Sequence, residues 1–519
     1  MSWTRTKSAA RIQQFMQTVP VTGVTVGQFD TAMLARRRQA VAATKAATGR
    51  TEDLIFQLRP SEAILVDGVH VYVQLLDYQD KMLERERETE AAHGRVLGML
   101  HLHYGACDTL AERFEAQRVD FHGPRLHAVI ITPPGAAGEQ VRVLRALEFA
   151  DALKRTIEAA SRTIGNGEFA TRVRIGIDSG LAVAVNSGRG SEPEPLFLGS
   201  PANYAAKLAE GADEGIYISD RVRAIAHLSL VYGGLQAERH VEMSAQIKAL
   251  GAAAATTKFT DADVGVAVNG LKSLMAQRYG VETPNFAFHH HEPPLRSIDF
   301  GEVSPSRAIR MELVSIFADL SGFTKYVDNC IRTGRVADMV ANLHVLRKEL
   351  AASLREDFGG KKVRFIGDCL HGLLAEGTRF QTDAGASVKA AVHASGGLRS
   401  SFELCQELLP EIATLGLAIG LEYGATPICR LGLRGDRSVR CAVSKAVSRS
   451  EELQSGCKRT ETAMGPRAHS QAPVAVRQLF DRDGKAQGLD YETVAVGTVA
   501  APAVVSSGSA SRTAQPHTQ

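Results

Sequence analysis

No stretch of this 519-residue chain approaches eighteen uninterrupted apolar residues, so no transmembrane helix is expected. Net charge is scarce too. Sixty Lys and Arg against 57 Asp and Glu leave +3, too little at this size to argue for nucleic acid or an acidic membrane as partner. The seven cysteines contain no C-x-x-C pair and no even framework, which points to free thiols in a reducing compartment. The N-terminus, MSWTRTKSAARIQQF, is basic but has no apolar h-region, so it does not read as a secretory signal. These absences lead to the expectation of a cytoplasmic protein. With 44% hydrophobic and 23% charged residues it reads as soluble and globular, and its length favours two domains plus linkers.

What is present is a motif that occurs twice. The C-terminal copy reads VSIFADLSGFTKYV and then KKVRFIGDCLHGLL. The N-terminal copy reads GVHVYVQLLDYQD and then QRVDFHGPRLHAVI. Aligned on the hairpin glycines Gly123 and Gly367, Asp368 falls opposite Pro124 at an offset of 244. Aligned on Tyr78 and Phe323, Asp319 falls opposite Gln74 at an offset of 245. Near-equal offsets mean a duplication at domain scale, and only the second copy keeps two aspartates. Two fixed carboxylates on adjacent strands are what a two-cation phosphoryl-transfer site needs.

Strand-like and helix-like segments alternate in the same order in both copies, which predicts an α/β or α+β sandwich in each half. GIDSG at Gly176 to Gly180 matches GLEYG at Gly420 to Gly424. The expected division is a helical segment over 1–55, a first, degenerate domain over 56–240, a linker with some helix over 241–305, a second domain over 306–498 and a disordered Ala/Ser/Thr/Pro-rich tail over 499–519. The stretch from Asp80 to Gln117 reads as one long helix, being rich in strong helix formers.

Asp319 lies near the end of an apolar strand and is followed by Ser-Gly. Asp368 lies in a Gly-Asp hairpin turn, a sequence that alone is also an ordinary turn signal. Together they fit a pair of divalent cations bridging a triphosphate. Gln74 and Pro124 cannot serve that role. The first copy offers Asn203 and Lys207, four apart on one helix face, an amide and a cation suited to ribose and phosphate. That spacing is common and weak by itself.

Read together, F-A-D-x-x-G-F-T, K-x-x-F-x-G-D, G-I-x-x-G and the helix carrying Asn203 and Lys207 resemble the class III nucleotidyl cyclases. The resemblance covers roughly 60–220 and 308–460. It implies an α+β fold of two tandem cyclase domains with ferredoxin-like βαββαβ cores, packed head to tail as an intrachain pseudo-dimer. It implies Asp319, Leu320 and Asp368 as the metal residues for two Mn²⁺ or Mg²⁺ ions, with Asn203 and Lys207 catalytic. Lys207 stands where the family has Arg, which removes the planar fork. The substrate residues implied are Asp120, Leu196, Phe323 and Ile366. In the reverse site the helix AVSKAVSRSEELQ lacks the Asn-x-x-x-Arg spacing, so that site reads as dead or regulatory.

The positions that read adenine in adenylate cyclases hold Asp120 and Leu196 here. VDGVHVYV, RVDFHGPRLHAV and PPLRSIDFGEVSPS further resemble the bacterial pyrimidine cyclases of Pycsar antiphage systems. That resemblance implies conversion of UTP or CTP to cUMP or cCMP, which activates a separate effector. A purine cyclase and a non-catalytic nucleotide sensor remain the alternatives, and homo-oligomerisation is left open. His289 to His291 read as a linker tract in preference to a metal site, Lys361, Lys362 and the stretch Arg430 to Arg440 as solvated faces or as groups that approach the triphosphate, and Cys369 as core.

Overall fold

Two eight-stranded sheets with one shared connectivity carry the chain. The computed structural model describes residues 2–18, 23–48, 58–187, 194–234, 239–243, 245–253, 258–279, 283–432 and 438–498. The tail 499–519, expected to be disordered, lies outside them.

The first sheet contains β1 (Thr25–Gln28), β2 (Glu62–Leu75), β3 (Gln117–His122), β4 (Arg125–Ile130), β5 (Val173–Asn186), β6 (Pro195–Leu198), β7 (Gly215–Ile218) and β8 (His240–Val241). Then come β9 (Phe288–His289), β10 (Ala308–Ser321), β11 (Lys361–Ile366) and β12 (Cys369–Leu374). A separate ribbon of β13 (Glu376–Gly377) and β14 (Thr382–Asp383) follows. The second sheet is completed by β15 (Gly416–Leu431), β16 (Val439–Ala442), β17 (Glu461–Met464) and β18 (Lys485–Gln487).

The order is β3-β4-β2-β5-β7-β8 in one sheet and β11-β12-β10-β15-β17-β18 in the other. Each long strand is joined by a parallel leader, β1 on β2 and β9 on β10. The duplication is therefore structural, and the fold is α+β as expected.

On one face of the first sheet the apolar residues of β2 and β5 pack with helices Glu90–Arg113 and Glu139–Thr163. Helices Val336–Ala352 and Ala384–Leu408 do the same for β10 and β15. Gly176 lies between the core residues Ile175 and Ile177, so strand alternation points it to the other face. A Cβ there would sit 2.1 Å from the Ala205 carbonyl oxygen, and one at Gly420 would sit 2.2 Å from that of Ser450. The glycines shared by GIDSG and GLEYG thus let helices Ser200–Leu208 and Lys445–Ser455 rest on the strands.

Three local readings need correction. The long helix over 80–117 is interrupted, because Arg85 and Glu86 adopt φ of +49° and +65°, a turn that strong helix formers do not forbid. The helix proper begins after Thr89, whose hydroxyl accepts from the Ala92 amide at 3.0 Å. Residues 1–55 contain helices Arg5–Thr18 and Thr31–Thr48, but β1 separates them. His289 belongs to a strand and pairs with Ile309.

Outlying helices are exchanged between the halves. Helix Arg5–Thr18 packs on the second half, where Arg11 reaches Glu349 at 2.6 Å and Asp357 at 2.8 Å. Helix Asp261–Tyr279, from the stretch expected to be a linker, packs on the first half, with Arg113 to Asp263 at 2.9 Å and Arg155 to Asp261 at 2.6 Å. Residues 295–303 cover the outer face of β10 and β12 through Leu295, Ile298 and Phe300.

Candidate active site

Asp319 is the third-last residue of β10, its backbone paired with Ala418 of β15. Two residues after the strand ends, Phe323 starts a helix, and Gly322 makes that change of direction at φ +86°. Asp368 lies in the two-residue turn that leaves Ile366 paired with Cys369, with Gly367 at φ +61°. The Leu320 amide favours the charged form of both carboxylates, and the two groups act on each other. Desolvation pushes both carboxyls upward. For Asp368 the charge of Asp319 adds to it, and for Asp319 the charge of Glu451 does, while a hydrogen bond from Gln454 works against it. Like charges held this close need a cation to stay ionised together.

The same place in the first half is closed. Leu75, the counterpart of Leu320, donates its amide to the Pro124 carbonyl at 2.9 Å. Arg125, next to Pro124, ion-pairs with Glu451 on helix Lys445–Ser455. Burial opposes ionisation of Glu451, but Arg125 and His122 bring its pKa down to about 2. An internal ion pair thus fills the degenerate side.

The first half meets the helix that follows Asp319 through helix Ser200–Leu208. Asn203 Nδ2 donates to Thr324 Oγ1 at 2.7 Å, and the Ser200 amide donates to Asp328 at 3.0 Å. Both acceptors lie on the helix that follows Asp319. Lys207, one turn along, is exposed and makes no ion pair with a described residue. Leu196 and Phe323 share one apolar cluster with Phe365. Ile366 packs instead near Phe317, Cys369 and Val447, which also places Cys369 in a core as expected.

Asp120 is not a free acceptor. Its carboxylate meets Arg364 of β11 at 2.6 Å. Arg364 also donates to the Phe121 carbonyl. Both residues follow a β-bulge, at Val119 in β3 and at Val363 in β11. Sequence reasoning missed Arg364, although it stands three before Gly367 as Asp120 stands three before Gly123. It also missed Arg347, whose guanidinium feels the charges of Asp368 and Asp120. Lys362 was expected to be solvated but is partly buried against Glu194 at 2.8 Å. Arg440, also expected to be solvated, is half-buried over the Phe300 ring at 4.9 Å.

Among the described residues, no group of three or more His, Cys, Asp or Glu side chains is arranged to hold a metal. The donor set here is two carboxylates. They are hard oxygen ligands whose remaining partners a triphosphate and water would supply, a set that fits Mg²⁺ or Mn²⁺.

No family profile matches the chain. A uridylate cyclase from a Rhizobium species is 54% identical over 523 residues, covering 100% of this chain and 99% of that protein. A uridylate cyclase of Pseudomonas aeruginosa is 39% identical over 440 residues, 83% of each chain. The chain belongs to the uridylate cyclase family. A solved structure of a class III adenylyl cyclase-like ATP-binding protein from Pseudomonas aeruginosa superposes with a TM-score of 0.83 at 34% identity, over 96% of this chain and 100% of that one. The fold is thus class III cyclase-like, and this member of the uridylate cyclase family is a nucleotidyl cyclase, a lyase acting on a nucleoside triphosphate. None of the described helices is long and apolar enough to cross a membrane.

Proposed function

We propose that the enzyme cyclises a pyrimidine nucleoside triphosphate, UTP or CTP, to the 3′,5′-cyclic monophosphate and pyrophosphate. The observation that carries the reading is the buried Asp319–Asp368 pair, followed by the helix whose Thr324 accepts from Asn203 of the other half. The names of the two relatives favour UTP.

In this reading Asp319 and Asp368, with the main chain of Leu320, would hold two Mn²⁺ or Mg²⁺ ions. When bound, such ions lower the pKa of the ribose 3′-hydroxyl and neutralise phosphate charge. The 3′-oxygen forms a bond to the α-phosphorus as the bond to pyrophosphate breaks in line, and the hydroxyl proton is released. Asn203 turns from Thr324 to the ribose and orients it. Lys207 offers charge to the leaving pyrophosphate as a single point, without the bidentate geometry of Arg.

Phe323 and Leu196 provide apolar walls, with Ile366 placed further along β11. Leu196 offers no hydrogen bond, so a purine edge reaching it loses a polar partner at about 1–3 kcal/mol. Asp120, held by Arg364, accepts an N–H from the smaller base. The cyclic product then serves as a messenger to a separate effector, in the antiphage setting that the resemblance implies.

The test is incubation with an equimolar mixture of four ribonucleoside triphosphates and Mn²⁺, with products resolved by mass. Cyclic UMP or cyclic CMP as the main product supports the reading. Mainly cyclic AMP or cyclic GMP overturns the base assignment, and no cyclic product favours a nucleotide sensor.

A further inference from the structure

A cavity of about 400 Å³ lies between the halves. Helix Val336–Ala352 and β11 form one wall, and Glu194, just before β6, forms the other. Asp319, Asp368, Asn203 and Lys207 are not among its lining residues.

Arg347 lies in this wall and is only 4% exposed. Its Nη2 donates to Glu194 at 2.9 Å, whereas Nε and Nη1 are buried with no hydrogen-bond partner among the described residues. Its guanidinium lies 4.1 Å from the centre of the Phe365 ring. Lys362 Nζ donates to the other oxygen of Glu194 at 2.8 Å and lies 5.0 Å from the same ring centre. One carboxylate therefore serves two cations. Lys348 and Arg59 add positive charge to the lining, and Arg59 is already matched by Glu62 at 2.9 Å.

A buried guanidinium with two unmatched donors is costly, because each orphaned donor forfeits its hydration. A planar fork stacked on a ring is also shaped for bidentate contact with a phosphate or carboxylate. The volume falls within the range of small-molecule sites.

We propose that this cavity is a second binding site, for a small anion carrying a phosphate or carboxylate group. Arg347 and Lys362 grip the anionic group, Phe365 is the floor, and Glu194 sets the spacing of the two cations. The site is independent of the base assignment. Because Arg347 also feels Asp368 and Asp120, its occupant sits within electrostatic reach of the catalytic cleft.

The test uses the full-length protein in chelator-resin-treated buffer at constant ionic strength. Calorimetric titration with inorganic phosphate is one arm and with succinate the other. Saturable binding of at least one anion is expected, and the arm that binds identifies phosphate or carboxylate as the preferred group. Arg347→Gln and Lys362→Gln are each expected to weaken it about tenfold or more, the loss of one charge-assisted hydrogen bond. Lys207→Ala, on the nucleotide side, is expected to leave it unchanged. Lys362 is partly exposed, so its variant decides the matter if Arg347→Gln fails to fold. No saturable binding of either anion overturns the proposal, as does binding that Lys362→Gln leaves within a few-fold of wild type.

Discussion

Asp120 and Arg364 occupy the same position of the duplicated motif, each just after a β-bulge, and their side chains join across the two halves at 2.6 Å. Around them the symmetry is kept in chemistry as well. Tyr72 stacks on His127 at 4.0 Å in the first half and Phe317 on His371 at 4.4 Å in the second, and each histidine pairs with the residue that follows the bulge. Duplication has placed opposite charges where a symmetric dimer would oppose like with like.

This pairing makes Asp120 and Arg364 energetically coupled. Asp120→Ala and Arg364→Ala are each expected to cost about 1–3 kcal/mol of stability by leaving a largely buried charge alone. The double variant is expected to cost less than the sum. Urea unfolding measures all three. Asp120→Lys, facing Arg364, is expected to depress pyrimidine turnover as well. Strict additivity of the two alanine substitutions contradicts the coupling.

Burial raises the Asp319 carboxyl from 3.8 to about 6 and Asp368 further in the same direction. The native state therefore holds these protons more tightly than the unfolded chain. The penalty is absent below about pH 4, grows as pH rises, and is complete above the native values. Without divalent cations, wild type is expected to lose about 1–3 kcal/mol across that window relative to Asp319→Asn/Asp368→Asn. Adding Mn²⁺ is expected to restore it. Parallel stability profiles for the two proteins contradict the assignment.

The exchanged helices predict the behaviour of a divided chain. A cut between helices Ala245–Ala253 and Asp261–Tyr279 leaves Arg5–Thr18 and Asp261–Tyr279 each bound to the opposite piece. The pieces are expected to copurify, to be inactive singly and to cyclise nucleotide together. Efficient cyclisation by the second piece alone contradicts a site shared between halves.

Much of this was legible in the sequence, and what was not has physical reasons. The hairpins at Gly123 and Gly367 were readable because a two-residue turn is local chemistry. So was the asymmetry of Asp319 and Asp368 against Gln74 and Pro124. The partner of Asp120 was not, since Arg364 meets it only through packing of the halves and through bulges at Val119 and Val363 that leave no local signature. Arg347 escaped for the same reason, as nothing in a helical stretch marks which arginine faces a cavity. The turn at Arg85 and Glu86 was hidden by residues that favour helix. The closure of the degenerate side by Arg125 and Glu451 needed the geometry.

The most direct test of the account is turnover of UTP with Mn²⁺ by wild type and by folded Asp368→Ala, with the product identified by mass. Cyclic UMP from wild type, and a rate reduced at least about 100-fold in Asp368→Ala, is the predicted result, since in the proposed mechanism the lost carboxylate would hold cations that supply several kcal/mol of transition-state stabilisation. Comparable cyclic nucleotide formation by the folded Asp368→Ala protein would contradict it.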